Sequence, residues 1–266
     1  MSSSYSTLSV VIPCYNEIAT IDRTLDAVLA LRERLASLGL SLQIVAVDDA
    51  SSDQTFDRLT LRARDLGGAI VIARHKVNRG KGAAIQTART HATGDIVVIQ
   101  DADLEYDPVD ILTVIAPIVD GSADAVMGSR FAGGGAHRVL YFWHSLGNMG
   151  LTVMSNMFTN LNLTDMEVGY KAFTMRVFRN MHLTTQRFGI EPEMVARLAQ
   201  MGARVYEVPI SYHGRTYEEG KKITWRDGVA AFFHILRARL TASAQQKLST
   251  EHQPASQPER ATQAAS

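Results

Sequence analysis

Two aspartates one residue apart close a short apolar run, Ile96-Val97-Val98-Ile99-Gln100-Asp101-Ala102-Asp103. Alternate residues of an extended chain face the same way, so both carboxylates can address one point. Hard oxygen donors with open positions suit Mg²⁺ or Mn²⁺, whose remaining ligands are often substrate phosphates. A plainer role is capping: Asp107-Pro108 reads as an N-cap followed by proline at the first helical position.

Other reactive side chains also follow apolar runs. Leu8 to Ile12 ends in Pro13-Cys14-Tyr15-Asn16-Glu17, and Leu42 to Val47 ends in Asp48-Asp49. Asn78-Arg79-Gly80-Lys81-Gly82 opens an alanine-rich helix. It is not a P-loop, because His75 stands where the first glycine belongs and Gly82 follows the lysine. A glycine-flanked lysine at a helix start still suits an anion.

The elements that must carry these residues follow from the apolar periodicity. Strands are expected at 8–12, 42–47, 69–73 and 96–99, with helices at 20–38, 55–66 and 83–92 between them. That β-α-β-α-β-α-β order predicts an α/β fold with a doubly wound, mostly parallel sheet flanked by helices. Ligands then gather outside the carboxyl ends of the strands, where all the residues above lie. The second half is less regular. Helices are expected at 111–119, 141–161, from Glu191 to Gly202 and at 225–240, with strands at 124–127 and 204–212. Gly133-Gly134-Gly135 is a hinge candidate, and 164–170 reads as a polar loop. The 141–161 helix has one apolar side, with Trp143, Leu146, Met149, Val153, Met157, Phe158 and Leu161, expected to face the core. A lipid surface is the alternative for that side.

The chain has 266 residues, and Lys+Arg and Asp+Glu both number 27, so no global charge argues for nucleic acid. One cysteine, Cys14, excludes an intrachain disulfide and fits a reducing compartment. No run of 18 apolar residues occurs, so no membrane-spanning helix is expected, and the first residues lack the pattern of a signal peptide. Residues 1–240 are expected to form one domain, with a nucleotide-binding half at about 8–103 and an acceptor half at about 104–240. Residues 241–266 are expected to be a disordered tail.

Five motifs occur in order: Pro-x-Tyr-Asn-Glu from Pro13, Asp-Asp-x-Ser-x-Asp-x-Thr from Asp48 to Thr55, Asn-x-Gly-Lys-Gly, Asp-Ala-Asp and Gly-Ser-Arg at 128–130. The ordered set resembles glycosyltransferase family 2, and within it the dolichyl- and polyprenyl-phosphate sugar transferases. The resemblance covers about residues 8–240. It implies a GT-A fold and an inverting, metal-dependent hexosyltransferase. Pro13, Tyr15, Asn16, Glu17, Asp49 and Lys81 would surround the nucleotide, and Asp101 and Asp103 would hold Mg²⁺ or Mn²⁺. Glu105 stands where the lipid-phosphate enzymes often have glutamine, and it can supply a third oxygen. Arg130, Arg138, Arg215 and Lys221 match or lie near the cations of the acceptor side.

The implied reaction moves a hexose from a GDP-mannose- or UDP-glucose-type donor to a polyprenyl or dolichyl phosphate. Such an acceptor is already an anion and needs cations, not a base. A sugar hydroxyl acceptor, the alternative, needs a base, for which Asp165, Glu191 and Glu193 are candidates. A nucleotide-sugar-binding module without turnover is the second alternative. The implied partners are the nucleotide-sugar donor, the polyprenyl-phosphate lipid, a membrane surface and a membrane-embedded protein. The implied location is peripheral, on the cytosolic face.

Overall fold

The computed structural model describes residues 5–67, 69–133, 141–187, 189–214 and 233. Their order is β1 (Thr7–Cys14), α1 (Ile21–Leu29), α2 (Arg32–Ser37), β2 (Ser41–Asp48), α3 (Thr55–Asp65), β3 (Ile70–Arg74), α4 (Lys81–His91), β4 (Ile96–Ile99), α5 (Ile111–Val119), β5 (Ala125–Ser129), α6 (Phe142–Thr159), β6 (Lys171–Thr174), α7 (Met175–Asn180), α8 (Ile190–Met201) and β7 (Val205–Pro209). Seven strands form one sheet in the order β3-β2-β1-β4-β6-β5-β7. Only β6 runs against its neighbours, β4 and β5.

Apolar, β-branched runs make the centre. Val10 to Ile12, Ile44 to Val47 and Ile96 to Ile99 are all buried, as expected of parallel strands covered on both faces. Helix α1 adds Ile21, Leu25 and Val28 to the core. The expected 20–38 helix breaks into α1 and α2 at Ala30-Leu31, although neither glycine nor proline marks the break.

The register gathers the reactive loops at one edge. Cys14 pairs with Asp48 and Asp48 with Arg74, so β1, β2 and β3 end level, while Val11 pairs with Ile99, so β4 ends three residues short of them toward the same edge. β6 was not legible in the sequence. Because it is antiparallel, its first residue, Lys171, lies against Ile99 and Met127. Its amino end, with the 164–170 loop ahead of it, therefore joins the carboxyl ends of β4 and β5. β7 is parallel to β5 and pairs Pro209 with Ser129, which brings Tyr212 to the same edge. Asn16, Ala50 and Leu104 all have positive φ in the loops that leave β1, β2 and β4. Strained backbone of that kind concentrates at functional edges.

Helix α6 corrects the expectation for 141–161. Its apolar side faces outward: Trp143 is 75% exposed and Met157 78%, with Met149 and Val153 also exposed. Its polar Thr152 and Ser155 are buried instead, and Phe158 is half-buried against the core. Thr152 Oγ1 accepts from Met166 N at 3.2 Å, and Asn156 Oδ1 accepts from Leu163 N at 3.1 Å. The polar side is inward because it satisfies the backbone of the 163–166 loop. Among the described residues, no helix is long and apolar enough to cross a membrane.

The inversion has a direct test. Met157→Ser should leave stability within about 0.5 kcal/mol of wild type, as surface changes do. Ser155→Leu should cost about 1–3 kcal/mol by overpacking. Urea unfolding of the two variants distinguishes this arrangement from a core-facing apolar side, which would reverse the order.

Candidate active site

At the β2 end, Asp49 is 3% exposed and its carboxylate is turned inward. It accepts from His75 Nδ1 at 2.5 Å, Arg79 N at 2.9 Å and Gly80 N at 2.6 Å. Since a carboxylate can only accept, the His75 ring carries a proton on Nδ1, and its Nε2 lies 2.8 Å from the Thr87 hydroxyl. Asp49, which the family resemblance sets among the residues around the nucleotide, braces the 75–80 loop against α4. Asn16 is likewise engaged within the protein: its Oδ1 accepts from Ser52 N at 2.8 Å, and its own N donates to Ser51 Oγ at 3.0 Å. Glu17 N donates to Thr55 Oγ1 at 2.9 Å, and Glu17 Oε2 accepts from Thr20 Oγ1 at 2.9 Å. These contacts tie the β1–α1 turn to the β2–α3 turn. Tyr15 is exposed at 41% and Pro13 is half-buried, so both can meet a ligand. Beside them lies an open depression lined by Ala50, Ser51, Ser52, Arg74, His75 and Lys76. Arg74 holds its wall through Asp48 at 3.2 Å and the Phe56 ring at 4.1 Å.

The glycines around Lys81 have a packing cause. Gly80 has φ +96°, and a Cβ there would strike Gln186 and Arg187. Ala83 N donates to Gln186 O at 2.9 Å, so this helix start is capped by the 185–187 loop. The anion-binding feature left at α4 is the side chain of Lys81. Its ammonium lies 2.8 Å from Asp101 Oδ1 and 3.0 Å from Glu191 Oε1.

Asp101 sits close under Gly169, where any side chain would collide with Asp101 Oδ2 and the Tyr106 ring. Gly169 N donates to Tyr106 OH at 2.9 Å. Asp103 Oδ1 accepts from Glu105 N at 3.1 Å. Glu105 accepts from Tyr212 OH at 2.9 Å, which draws it toward β7. Among the described residues, no three acidic, histidine or cysteine side chains form a ready metal cage. Asp101, Asp103 and Glu105 are not drawn into one three-ligand cluster here. An all-oxygen pair, with space kept at Asp101 by a glycine, still fits a divalent ion that takes its other ligands from phosphate.

Arg130 follows β5 and is clasped by Asp165, with Nε 2.6 Å from Oδ2 and Nη2 2.7 Å from Oδ1. Asp165 is fully buried and also accepts from Arg130 N at 3.1 Å and Asn148 Nδ2 at 3.2 Å. Four donors from Arg130 and Asn148 thus converge on Asp165, which holds Arg130 in place. Arg130 in turn lies over the Tyr212 ring at 5.1 Å. Glu193 is similarly engaged: it accepts from Thr184 N at 3.0 Å and Thr185 N at 2.8 Å, and pairs with Arg197. Arg138, Arg215 and Lys221 lie outside the described residues, as do the hinge at 134–135, the 225–240 helix apart from Phe233, and the 241–266 tail.

Two ionisable groups at the centre had no sequence signal. Lys171 is 1% exposed and donates to the carbonyls of Met166 and Val168. Burial pulls its pKa down to about 8, against the pull of Glu191. Glu167 is pushed up to about 7 by burial and then by Glu191, and its Oε1 has no hydrogen-bond partner. Glu191 is held below the usual carboxylate range because Lys81 and Lys171 outweigh its burial. The only clue to Glu167 was its place two residues after Asp165.

Residues 9–184 match the family described as Glycosyl transferase family 2. The chain belongs to that family. Among the relatives of this family 2 glycosyltransferase is an undecaprenyl-phosphate mannosyltransferase of Micrococcus luteus. It is 31% identical over 252 residues, which cover 86% of this chain and 97% of that one. A dolichyl-phosphate beta-glucosyltransferase of Trichomonas vaginalis is 30% identical over 77% of this chain, which spans 65% of that relative's length. A solved structure of glucosyl-3-phosphoglycerate synthase from Mycobacterium tuberculosis, in complex with Mn²⁺, UDP and glucosyl-3-phosphoglycerate, superposes with a TM-score of 0.66. It is 18% identical and covers 88% of this chain and 80% of that one. The shared fold is GT-A.

Glu167 gives the family 2 site a stability signature. A carboxyl whose folded pKa is raised to about 7 contributes stability that is present below its unfolded value, about 4.3, and lost as pH rises through 7. Glu167→Gln stays neutral throughout. The variant's melting temperature relative to wild type should therefore be higher at pH 8 than at pH 5, as differential scanning fluorimetry would show. An equal difference at both pH values would refute the burial argument.

Proposed function

We propose that this glycosyltransferase moves a hexose from a nucleoside-diphosphate sugar to a polyprenyl-type phosphate at a membrane surface. One observation carries the reading. Arg130 Nη2 donates to Asn148 Oδ1 at 3.3 Å, so the candidate phosphate-binding cation is bonded to the inward side of α6. The outward side of that helix is the exposed stripe of Trp143, Met149, Val153 and Met157. An acceptor with an anionic head and a hydrocarbon tail needs a cation and an apolar surface side by side, and α6 joins the two. Names of the relatives support the same acceptor class.

Tyr15, Pro13 and the depression beside Arg74 would take the nucleoside. Lys81 would reach the diphosphate, and Asp101 and Asp103 would hold a divalent ion there. When bound, that ion neutralises charge on the leaving diphosphate. The acceptor phosphate needs no base, which agrees with the engagement of Asp165 by Arg130 and of Glu193 by Thr184 and Thr185. Arg130 would fix its oxygens beside the anomeric carbon, aided by Arg138, Arg215 and Lys221. Access from the cytosolic face, and a membrane-embedded partner, belong to this same reading. Glu167 favours a second one: a carboxyl poised near neutrality suits a general base for a hydroxyl acceptor.

A panel of UDP- and GDP-sugars with Mg²⁺ or Mn²⁺, offered a short-chain polyprenyl phosphate and soluble saccharides, decides between the acceptors. Transfer to the lipid phosphate should dominate, and preference for a saccharide would overturn the proposal. Asp103→Asn should cut transfer at least about tenfold, because it removes an anionic ligand from a charge-stabilising role. Full activity in excess chelator would remove the metal from the scheme. The wild type should sediment with anionic liposomes, and Trp143→Ser with Met157→Ser should weaken that binding. An unchanged bound fraction would mean that α6 is not the contact.

A further inference from the structure

The ammonium of Lys81 does not point into open solvent. It spans both oxygens of Asp101, 2.8 Å from Oδ1 and 2.9 Å from Oδ2, and reaches Glu191 Oε1 at 3.0 Å. It therefore covers the oxygen edge through which Asp101 would grip a divalent ion. The backbone beneath it is pinned. Gly80 N is held by Asp49, Ala83 N by Gln186 O, and a Cβ on Gly80 or Gly82 would strike the 185–187 loop. Helix α4 cannot drift, so only the flexible lysine side chain can uncover Asp101.

We infer that Lys81 is a resident cation that competes with the divalent metal for Asp101, and that the donor's diphosphate relieves the competition by drawing the ammonium away. The inference rests on the reading of Asp101 as a metal ligand. A lysine ammonium and a divalent ion cannot share one carboxylate edge without strong repulsion. A diphosphate offers the ammonium a better anion than Asp101 alone. Once Lys81 has turned toward it, the oxygen edge of Asp101 that the ammonium covers is released. Glu191 keeps the lysine close in either position. Its carboxylate is 11% exposed and stands at the first turn of α8. Metal and diphosphate then bind cooperatively, and the coupling is reciprocal. The free enzyme holds the metal weakly, so its nucleotide-free state is stabilised by an internal ion pair.

The test is metal binding, read apart from turnover. Mn²⁺ alone is titrated into the wild type and Lys81→Met, and free Mn²⁺ is followed by electron paramagnetic resonance. Lys81→Met should bind Mn²⁺ at least about tenfold more tightly, since a positive charge in direct contact with the site is gone. The gain that UDP or GDP brings to Mn²⁺ affinity should shrink in the same variant. Lys81→Gln serves if Lys81→Met fails to fold. Arg79→Met removes an equal charge from an exposed position in the same loop and should change little. Mn²⁺ affinity that is unchanged or weaker in both lysine variants overturns the proposal, as does an equal rise in Arg79→Met. Asp101→Asn separates the two layers of the argument. If it abolishes Mn²⁺ binding while the lysine variants stay at wild-type affinity, the metal reading stands and the competition fails. If it leaves Mn²⁺ binding untouched, the metal reading itself fails.

Discussion

Gathering Asp101, Asp165, Glu167 and Glu191 at one end of a sheet is electrostatically unfavourable unless cations are buried with them. The fold places one beside each. Lys81 lies between Asp101 and Glu191, Arg130 is clasped by Asp165, and Lys171 stands near Glu191 and Glu167. Each cation comes from a different element, α4, the β5 exit and β6. The register of the sheet is therefore what makes the charge balance hold. Moving any one of these elements leaves a buried charge uncompensated, and such losses are costly.

The same balance explains why so few groups at the edge are idle. Asp165 and Glu193 carry the residue type of a base, yet their oxygens are consumed by arginine, threonine and backbone donors. Asp49 is consumed in the same way by His75 and the 79–80 backbone. Glu167 is the exception, with one oxygen unpartnered and its proton retained toward neutrality by burial.

The first four strands were legible because each is a short apolar run between turn residues, and helix spacing in between fixes parallel order. β6 was not, because Lys171-Ala172-Phe173-Thr174 is short and opens with a lysine, which seldom lies in a central strand. That lysine is tolerated because two loop carbonyls accept from it. The acidic and basic residues of the site were visible as types, but their pairings were not: nothing in the spacing tells Asp165 to hold Arg130. Helix α6 shows a different limit. Periodicity reveals which side of a helix is apolar, but burial depends on what the neighbours need, and here the 163–166 backbone needed polar partners.

The antiparallel insertion of β6 also bears on the order in which the chain acquires its site. β1, β2, β3 and β4 can assemble from consecutive βα units, each closing a short loop. β6 must reach back past α5, β5 and α6 to lie between β4 and β5. Contacts so distant in sequence form slowly, because the loop must close before it is rewarded. Lys171, Gly169 and Asp165 arrive together with that strand, and Glu191 follows it. A chain paused during synthesis with only its first half emerged holds Asp101 without Glu191 and Gly169. The charge cluster is therefore complete only once the chain as far as Glu191 has joined the sheet.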